Sequence, residues 1–463
     1  MKLSPSLPQN SPRSKIVGLF LFLALLPVPG FAQFGDSNSI EPGLKTRLDV
    51  LFFGGFESSP WTQAWGLLWG PEPADGGILI SSPDAFDGHS LRVKYSKGTF
   101  SSGGGFQCLT DFSKFPIEPQ ESLYFRYYVR FDPGFDFVKG GKLPGLAGGK
   151  GNTGGHKANG TDGWSARVMW RSDGKIVQYV YHPDQVGDYG EDFPWNYGGC
   201  PRFFEPGKWE CLETYVRMNS LGKKDGIIRS WLNGEQALEV TNLRFRDVEK
   251  LKIDKMYFET FFGGGDPSWA TPRDQFAMFD NFVIATNPIG PDLDKKSRVE
   301  TVPSPVLVEE KEDKGTLVFD GDQNGWKTSS WSAGTYDFHS AVQNHGASGS
   351  YSALVQYPDK GWGGVQFEGP ASNSKAIKTL NLWVYPTGCD VEFRVRFQRN
   401  DDTVGIEQVV TGAPRHGWKV NQWNPVRIPL DDFKIPDSFN KIALTSNSAQ
   451  EVSPFYVDDV YLK

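Results

Sequence analysis

The chain has 463 residues, including 53 glycines and 32 prolines, and 14% of its residues are aromatic. Glycine and proline together stay below the roughly 25–30% that is typical of low-complexity chains, and no Gly-X-Y period is present, so the composition excludes disordered and collagen-like proteins. The net charge of −7 argues against a general nucleic-acid-binding protein, because such proteins carry an overall basic footprint.

The first 33 residues resemble a secretory signal peptide. Three basic residues and no acidic one precede an apolar run from Ile16 to Leu26, and small residues follow up to Ala32. A membrane anchor is the alternative, but the run is shorter than the roughly 20 residues that span a bilayer. We therefore predict cleavage after Ala32 or Gln33 and an exported protein with no membrane contact, whose net charge falls to −10.

The rest of the chain shows the period-two alternation of strands and little helical periodicity. The turn Asn233-Gly234 predicts a tight hairpin, because both central residues of a type I′ turn need positive φ. Many strands joined by short glycine-rich turns predict an all-β fold of β-sandwich or jelly-roll type. The clearest predicted strands are Ser122–Phe131, Ser165–Trp170, Ile176–Tyr181, Glu210–Asn219, Gly226–Leu232, Lys255–Phe262 and Met278–Ala285.

A polar, charged and proline-containing segment at 289–314 predicts an extended linker between two sandwich domains, 34–288 and 315–463. The second domain resumes strand patterns such as Val391–Phe397 and resembles jelly-roll carbohydrate-binding modules in its general pattern. We predict that its tryptophans stack on sugars, and the alternative is that most of them lie in the core. These residues are Trp326, Trp331, Trp362 and Trp418.

Four cysteines are too few for a disulfide scaffold, although an exported chain permits bridges. Cys200 and Cys211 are close in sequence and predict a disulfide that closes a loop. Cys108 and Cys389 fall in different predicted domains, and we expect both to be free and buried. No cysteine and histidine spacing matches a zinc site, and no metal ion or cofactor is predicted.

Several enzyme classes lack their motifs here. A glycoside hydrolase needs paired carboxylates across a cleft, but Glu210 and Glu213 are three residues apart and point to opposite faces of a strand. A structural role or a sugar contact is the better interpretation of Glu213. Neither a Gly-x-Ser-x-Gly elbow nor a phosphate-binding loop is present, and the six histidines are scattered.

Charge is unevenly distributed along the chain. Residues 92–175 contain 13 basic and 7 acidic residues, so this segment is positive within an acidic protein. Guanidinium groups suit carboxylates and aromatic faces suit sugar rings, so such strands favour an acidic polysaccharide; the alternative is a solvated outer face. Alternation places on shared faces Arg126 with Arg130, Tyr124 with Tyr128, Ser165 with Arg167, and Tyr179 with Tyr181.

Ordered motifs in this region carry a family resemblance. They are Lys139-Gly-Gly-Lys142-Leu-Pro-Gly-Leu146, Gly163-Trp-Ser165-Ala-Arg167-Val-Met-Trp170, Tyr179-Val-Tyr181, Phe261-Phe-Gly-Gly264 and Phe279-Asp-Asn281. Residues 45–287 resemble polysaccharide lyase family 14, which contains alginate and glucuronan lyases on a β-jelly roll. The resemblance covers neither the predicted linker nor the second domain.

The resemblance implies an active site and a chemistry. It implies the catalytic residues Lys142, Ser165, Arg167, Tyr179 and Tyr181. β-Elimination from a 4-linked uronate neutralises the C6 carboxylate, removes the C5 proton and protonates the departing O4. Clustered positive charge would favour a neutral lysine and a tyrosinate, and the sequence leaves open which of these groups is the base and which the acid.

Further residues are predicted to bind substrate. They are Arg126, Tyr128, Arg130, His156, Lys157 and His182, with His156 and Lys157 in a glycine-rich lip and His182 ranked below the tyrosines. We expect an exported, monomeric lyase that cleaves a 4-linked polyuronate, alginate first and glucuronan as the alternative. Its partner is an acidic polysaccharide and not a nucleic acid. A non-catalytic polysaccharide-binding protein is the hypothesis from another class.

Overall fold

The computed structural model describes most of the chain between residues 34 and 463. The described ranges are 34–35, 41–44, 46–57, 61–65, 67–69, 77–80, 84–115, 117–292, 315–321, 325–332, 334–345, 351–358, 362–373, 375–399, 408–411, 418–430, 437–446 and 452–463. The predicted signal peptide and residues 293–314 of the predicted linker lie outside them. No helix in these ranges has the length and apolar character that crossing a membrane requires.

Eighteen strands of the described chain precede the predicted linker. They are β1 (Phe34–Gly35), β2 (Val50–Gly54), β3 (Leu67–Trp69), β4 (Gly77–Ile80), β5 (Ser90–Tyr95), β6 (Phe106–Asp111), β7 (Ser122–Phe131), β8 (Gly140–Gly149), β9 (Gly163–Arg171), β10 (Ile176–Tyr181), β11 (Glu191–Pro194), β12 (Asn196–Tyr197), β13 (Cys200–Pro201), β14 (Glu210–Arg217), β15 (Gly226–Leu232), β16 (Glu235–Leu243), β17 (Lys255–Phe262) and β18 (Gln275–Ala285). Single 3₁₀ turns lie at Trp61–Trp65, Ser101–Gly103, Phe112–Lys114, Ser172–Gly174 and Pro267–Trp269.

Sixteen of these strands form two large sheets that face each other, and β12 pairs with β13 in a separate two-stranded sheet. One runs in the order β1-β2-β18-β7-β14-β15-β16, with β5 also paired to β18 and β4 paired to β5; the other runs β11-β10-β9-β8-β17-β6-β3. The side chains between the sheets form one aromatic-rich core, in which Trp65, Trp164 and Trp170 are fully buried. The predicted all-β sandwich is confirmed.

The predicted hairpin is confirmed in detail. Asn233 and Gly234 join β15 to β16, and their φ angles are 55° and 87°. Positive φ at both positions is the requirement of a type I′ turn, which glycine meets without steric cost and asparagine at a small one.

The remaining eleven described strands lie in the second predicted domain. They are β19 (Thr316–Phe319), β20 (Lys327–Trp331), β21 (Thr335–Ser340), β22 (Ser352–Gln356), β23 (Gly364–Asn373), β24 (Thr379–Pro386), β25 (Glu392–Gln398), β26 (Gln408–Thr411), β27 (Asn424–Pro429), β28 (Ser438–Thr445) and β29 (Phe455–Leu462). One sheet runs β21-β22-β29-β24-β27 with β19 beside β29, and the other runs β20-β23-β28-β25-β26. A separate apolar core lies between them.

The four tryptophans predicted to stack on sugars divide into two pairs. Trp326 and Trp418 are buried in the core of the second domain, as the alternative interpretation expects. Trp331 and Trp362 are 36% and 50% exposed. Sequence alternation cannot make this distinction for Trp326, Trp362 and Trp418, because they lie outside strands and carry no strand parity.

The predicted Cys200–Cys211 disulfide is wrong. Cys200 is bonded to Cys389, with their Cα atoms 5.6 Å apart, and Cys211 is buried as a free thiol. The reason is geometric: Cys211 lies on β14 with its side chain against Phe86 and Tyr128, whereas Cys200 lies on β13. Cys108 is free and buried as predicted, but Cys389 is not.

The observed disulfide links the two predicted domains across a sequence separation of 189 residues. Other contacts lie beside the disulfide. Val420 donates a backbone hydrogen bond to the Gly198 carbonyl at 3.0 Å. The Lys419 ammonium lies 5.4 Å from the Tyr197 ring centroid.

We expect a cross-linked peptide pair containing Cys200 and Cys389 in a non-reducing digest, with Cys108 and Cys211 alkylated only after denaturation. Cys389→Ser should lower the free energy of unfolding by about 2–4 kcal/mol, because the bond restricts the unfolded chain. Cys211→Ser is the matched control and should leave the cross-link intact. A Cys200–Cys211 peptide would contradict the structure.

Candidate active site

The predicted catalytic side chains share one face of the β11-β10-β9-β8-β17-β6-β3 sheet. Alternation along β9 sends Trp164, Val168 and Trp170 into the core, so Ser165 and Arg167 point to the opposite face. On β10 the same alternation places Tyr179 and Tyr181 on that outer face, while Ile176 and Val180 enter the core. We call this outer face the catalytic face.

A bulge in β8 positions Lys142. The pairing of β8 with β9 shifts register between Lys142 and Gly145, and Pro144, which cannot donate a ladder hydrogen bond, lies in this interruption. Gly145 is required there, because a Cβ would lie 2.1 Å from the carbonyl oxygen of Ala166. Lys142 consequently sits opposite Met169 of β9 and Phe261 of β17.

The Lys142 amine is buried among aromatic and cationic groups. Its side chain is 9% exposed, and Nζ lies 3.2 Å from the Tyr179 ring centroid and 2.9 Å from the Met169 sulfur. Burial holds the pKa of Lys142 well below its usual value, and the positive charges of Arg167 and Arg171 lower it further. The residue can therefore present a neutral amine at a pH where an exposed lysine is charged.

The two tyrosines lie beside each other at the end of β10. Their rings meet edge to face with centroids 5.6 Å apart. The Tyr179 hydroxyl accepts a hydrogen bond from the Gly190 amide at 3.1 Å, and the Tyr181 hydroxyl accepts one from the Gly155 amide at 3.0 Å. Burial raises the pKa of Tyr179, as does its contact with Tyr181, so this phenol stays protonated.

This result differs from the prediction that positive charge would favour a tyrosinate. Arg167 does act in that direction on the pKa of Tyr179, but desolvation of the phenolate has the larger effect. The same burial therefore lowers the pKa of Lys142 and raises the pKa of Tyr179.

Arg167 is held in place on the catalytic face by an ion pair. Its guanidinium is fully buried, pairs with the carboxylate of Glu259, and donates to the Thr153 hydroxyl at 2.6 Å. Ser165 is also fully buried, and its hydroxyl donates to the Asn152 carbonyl at 2.6 Å. Both residues therefore tie the loop after β8 to the sheet.

Two loops meet at the tyrosine end of the face and carry three of the predicted substrate-binding residues. Lys157 donates to the Gln185 carbonyl at 2.6 Å and so joins the glycine-rich lip to the loop after β10. His156 is exposed on that lip. His182 is buried, its Nε2 lies 2.8 Å from the Glu191 carboxylate, and burial lowers its pKa.

The structure does not bring Arg126, Tyr128 and Arg130 to this site. All three lie on β7 in the other sheet. Arg126 is fully buried in an ion pair with Glu41 and contacts the Tyr128 hydroxyl. A role of these three residues in substrate binding stays a prediction, but it would not be at the catalytic face. Two antiparallel sheets of one domain share the same strand alternation, and the sequence does not say which sheet a strand joins.

Sequence reasoning missed three residues of the catalytic face. Arg171 and Met169 continue the alternation of Ser165 and Arg167 along β9. Strand alternation alone therefore predicts that all four side chains share one face. Arg171 is partly exposed, pairs with Asp192 at 2.6 Å, and lies 5.5 Å from the Tyr179 ring centroid. Glu259 gave no local signal, because its pairing with Arg167 spans 92 positions of the chain.

Taken together, the fold and this face define an all-β sandwich with a buried lysine, two tyrosines and two arginines lining one sheet. Residues 84–282 match the family model of polysaccharide lyase 14, so the catalytic face lies in a polysaccharide lyase 14 domain. The resemblance seen in the sequence and the enzyme class it implies are confirmed. No curated protein matches the chain.

Solved structures of similar proteins include three alginate lyases. The PL-14 alginate lyase from Aplysia kurodai is 28% identical, with 50% of this chain and 94% of that chain covered and a TM-score of 0.43. Alginate lyase Aly36B is 27% identical, with 56% and 97% covered and a TM-score of 0.44. The alginate lyase from a Chlorella virus is 23% identical, with 49% and 94% covered and a TM-score of 0.40.

Proposed function

We propose that this protein is an exported lyase that cleaves a 4-linked polyuronate, alginate first, by β-elimination at the catalytic face. One observation carries the proposal: the buried amine of Lys142 lies against the ring of Tyr179, with the lysine pKa lowered and the tyrosine pKa raised. A base and an acid with opposite shifts, side by side, are what proton abstraction and leaving-group protonation require.

The reaction balances with these two groups. The neutral Lys142 amine takes the C5 proton, the released electron pair forms the C4–C5 double bond, and the C4–O4 bond breaks. The Tyr179 hydroxyl gives its proton to the departing O4. The ammonium and the phenolate that remain are adjacent, so a proton returning from Lys142 to Tyr179 restores the enzyme.

The two arginines take different roles in this scheme. Arg167 is fully buried in its ion pair and acts on the reaction through its charge, which lowers the pKa of Lys142. Arg171 is partly exposed beside Tyr179 and is the guanidinium that can meet the C6 carboxylate. Stabilising the charge that grows on this carboxylate favours the enolate-like transition state.

The deciding experiment incubates the pure protein with polymannuronate, polyguluronate and glucuronan and follows the ultraviolet absorbance of the new C4–C5 double bond. We expect a rise with at least one of them, and block-defined substrates identify the uronate. No rise with any polyuronate would overturn the proposal. New reducing ends without absorbance would instead indicate a hydrolase.

Removing the Arg171 charge should change the pH dependence of the reaction. The acid limb of kcat/KM reports the pKa of the base in the free enzyme, and activity needs Lys142 neutral. Arg171 is one of the cations that lower that pKa, while Asp192, its partner, raises it. Arg171→Gln should therefore move the acid limb to higher pH.

Arg171→Lys keeps the charge and is the matched control. The acid limb of its kcat/KM profile should stay close to that of the wild type, even if its rate is lower. Identical limbs in the wild type and Arg171→Gln would contradict Lys142 as the titrating base.

A further inference from the structure

A groove crosses the outer face of the β20-β23-β28-β25-β26 sheet in the second domain. The middle strands β23 and β28 contribute three small residues to its floor, Gly364, Ala443 and Thr445, and two longer ones, Gln366 and Lys441. The flanking strands carry large ones, Trp331 on β20 and Arg396 on β25. Three strand spacings separate these flanks, a width of about 14 Å.

Two tryptophans stand at the groove with their rings held in place. Trp331 sits directly opposite Gly364, where a Cβ would lie 2.6 Å from its indole, so only glycine lets the ring lie down on the sheet. Trp362 is half exposed, and the guanidinium groups of Arg394 and Arg396 lie 5.8 and 5.5 Å from its ring centroid. Rigid, partly exposed indoles lose little entropy when a flat apolar surface packs on them.

The polar lining is cationic and amide-bearing. Arg396 and Lys441 line a cavity of about 420 Å³ together with Gln366, Gln398 and the two tryptophans. Among the described residues of β23, Glu368 is acidic and lies directly opposite both Lys441 and Lys327. Within the described part of the chain, the cavity lining holds two cations and no carboxylate.

The structure assigns this groove, which we call the second-domain groove, to binding a segment of an acidic polysaccharide. Sugar rings present flat C–H faces to the indoles, the glutamine amides suit hydroxyl groups, and Arg396 and Lys441 suit uronate carboxylates. The choice of a uronate polymer as ligand rests on the proposed function, whereas the location of the groove does not.

The groove would give the enzyme a second binding site for its polymer. Its domain is joined to the catalytic domain by the Cys200–Cys389 disulfide. Two tethered sites on one long substrate bind with a raised effective concentration, so each can be weak and the pair still retains the polymer.

The test measures retention of the full chain in native gels containing alginate, glucuronan or a neutral β-glucan. Every protein carries Lys142→Ala, so that the gel polymer is not cleaved. We expect Trp362→Ala, Arg396→Gln and Lys441→Gln each to lower the apparent affinity for an acidic polymer at least about tenfold, which corresponds to about 1.4 kcal/mol. Added salt should weaken retention of the parent protein.

Arg427→Ala is the matched control, because Arg427 is an exposed cation on β27 in the other sheet of the same domain. Its retention should equal that of the parent. Circular dichroism and thermal unfolding check that each variant is folded. If Trp362→Ala does not fold, the two glutamine substitutions still test the groove, because they replace partly exposed side chains.

The outcomes separate this inference from the proposed function. Retention that drops in the groove variants supports the groove even if the lyase assay shows no double bond. Equal retention of the groove variants and Arg427→Ala overturns the groove even if the lyase assay succeeds. If a gel with neutral β-glucan retains the protein and Arg396→Gln does not change that retention, the proposal of an acidic ligand is overturned.

Discussion

Lys142→Met is expected to abolish lyase activity and to make the protein more stable. Loss of the base should lower kcat by at least about 10²–10⁴-fold, the usual contribution of a positioned proton-transfer group. Methionine fills similar space next to Tyr179 and Met169 without a group that must lose its proton or its hydration. The free energy of unfolding should rise by about 1 kcal/mol, a common gain when a functional strain is removed.

The pH dependence of stability follows from the same burial. In the unfolded chain Lys142 has an ordinary pKa and binds a proton at neutral pH, whereas in the folded chain its pKa is lowered. Between those two pKa values the unfolded state binds more protons, so stability rises with pH across that window. Lys142→Met should remove this part of the slope.

Lys139→Met is the matched control for this prediction. Lys139 is exposed three residues earlier, and its ammonium donates to the Ser268 hydroxyl at 2.6 Å. Denaturant unfolding and the double-bond assay should give near wild-type values for it. A fully active Lys142→Met protein would eliminate Lys142 as the base.

Glu259→Ala should be the most destabilising single substitution at the catalytic face. It leaves the fully buried guanidinium of Arg167 without its carboxylate, and Thr153 supplies only a neutral acceptor. Breaking a buried pair from one side costs about 3–5 kcal/mol, because an uncompensated charge remains. Denaturant unfolding measures the loss, and activity should fall with it.

A double variant separates the stability of this pair from its function. Arg167→Met with Glu259→Leu removes both charges and should restore most of the stability lost in Glu259→Ala, since apolar replacement of a whole buried pair is often neutral or better. Activity should stay low, because Arg167 lowers the pKa of Lys142 more than Glu259 raises it, so removing both charges still raises that pKa. A double variant as unstable as Glu259→Ala would contradict this account.

Local patterns predicted the strands closely. The predicted bounds of Ser122–Phe131, Ile176–Tyr181, Gly226–Leu232 and Lys255–Phe262 are those of the structure. Each of these segments alternates core and outer residues over its whole length, so the period of two leaves little freedom in where the strand begins and ends. The Asn233-Gly234 turn is equally local, since its φ angles depend only on the two residues.

The grouping of the candidate site was partly predictable. Family motifs together with strand alternation brought Lys142, Arg167 and Tyr179 to one face. The same alternation misplaced Arg126, because a strand's parity gives two faces but not the sheet to which they belong. The position of Arg126 depends on the pairing of β7 with β14 and β18, two strands distant in the chain.

The sequence by itself determined the all-β class, the individual strands and the side chains able to carry an elimination, because alternation and residue chemistry are local properties. The tertiary structure alone decided the partners and the protonation states. The Arg167–Glu259 ion pair and the Cys200–Cys389 disulfide join residues 92 and 189 positions apart. The opposite pKa shifts of Lys142 and Tyr179 arise from burial, and burial exists only after the sheets have packed.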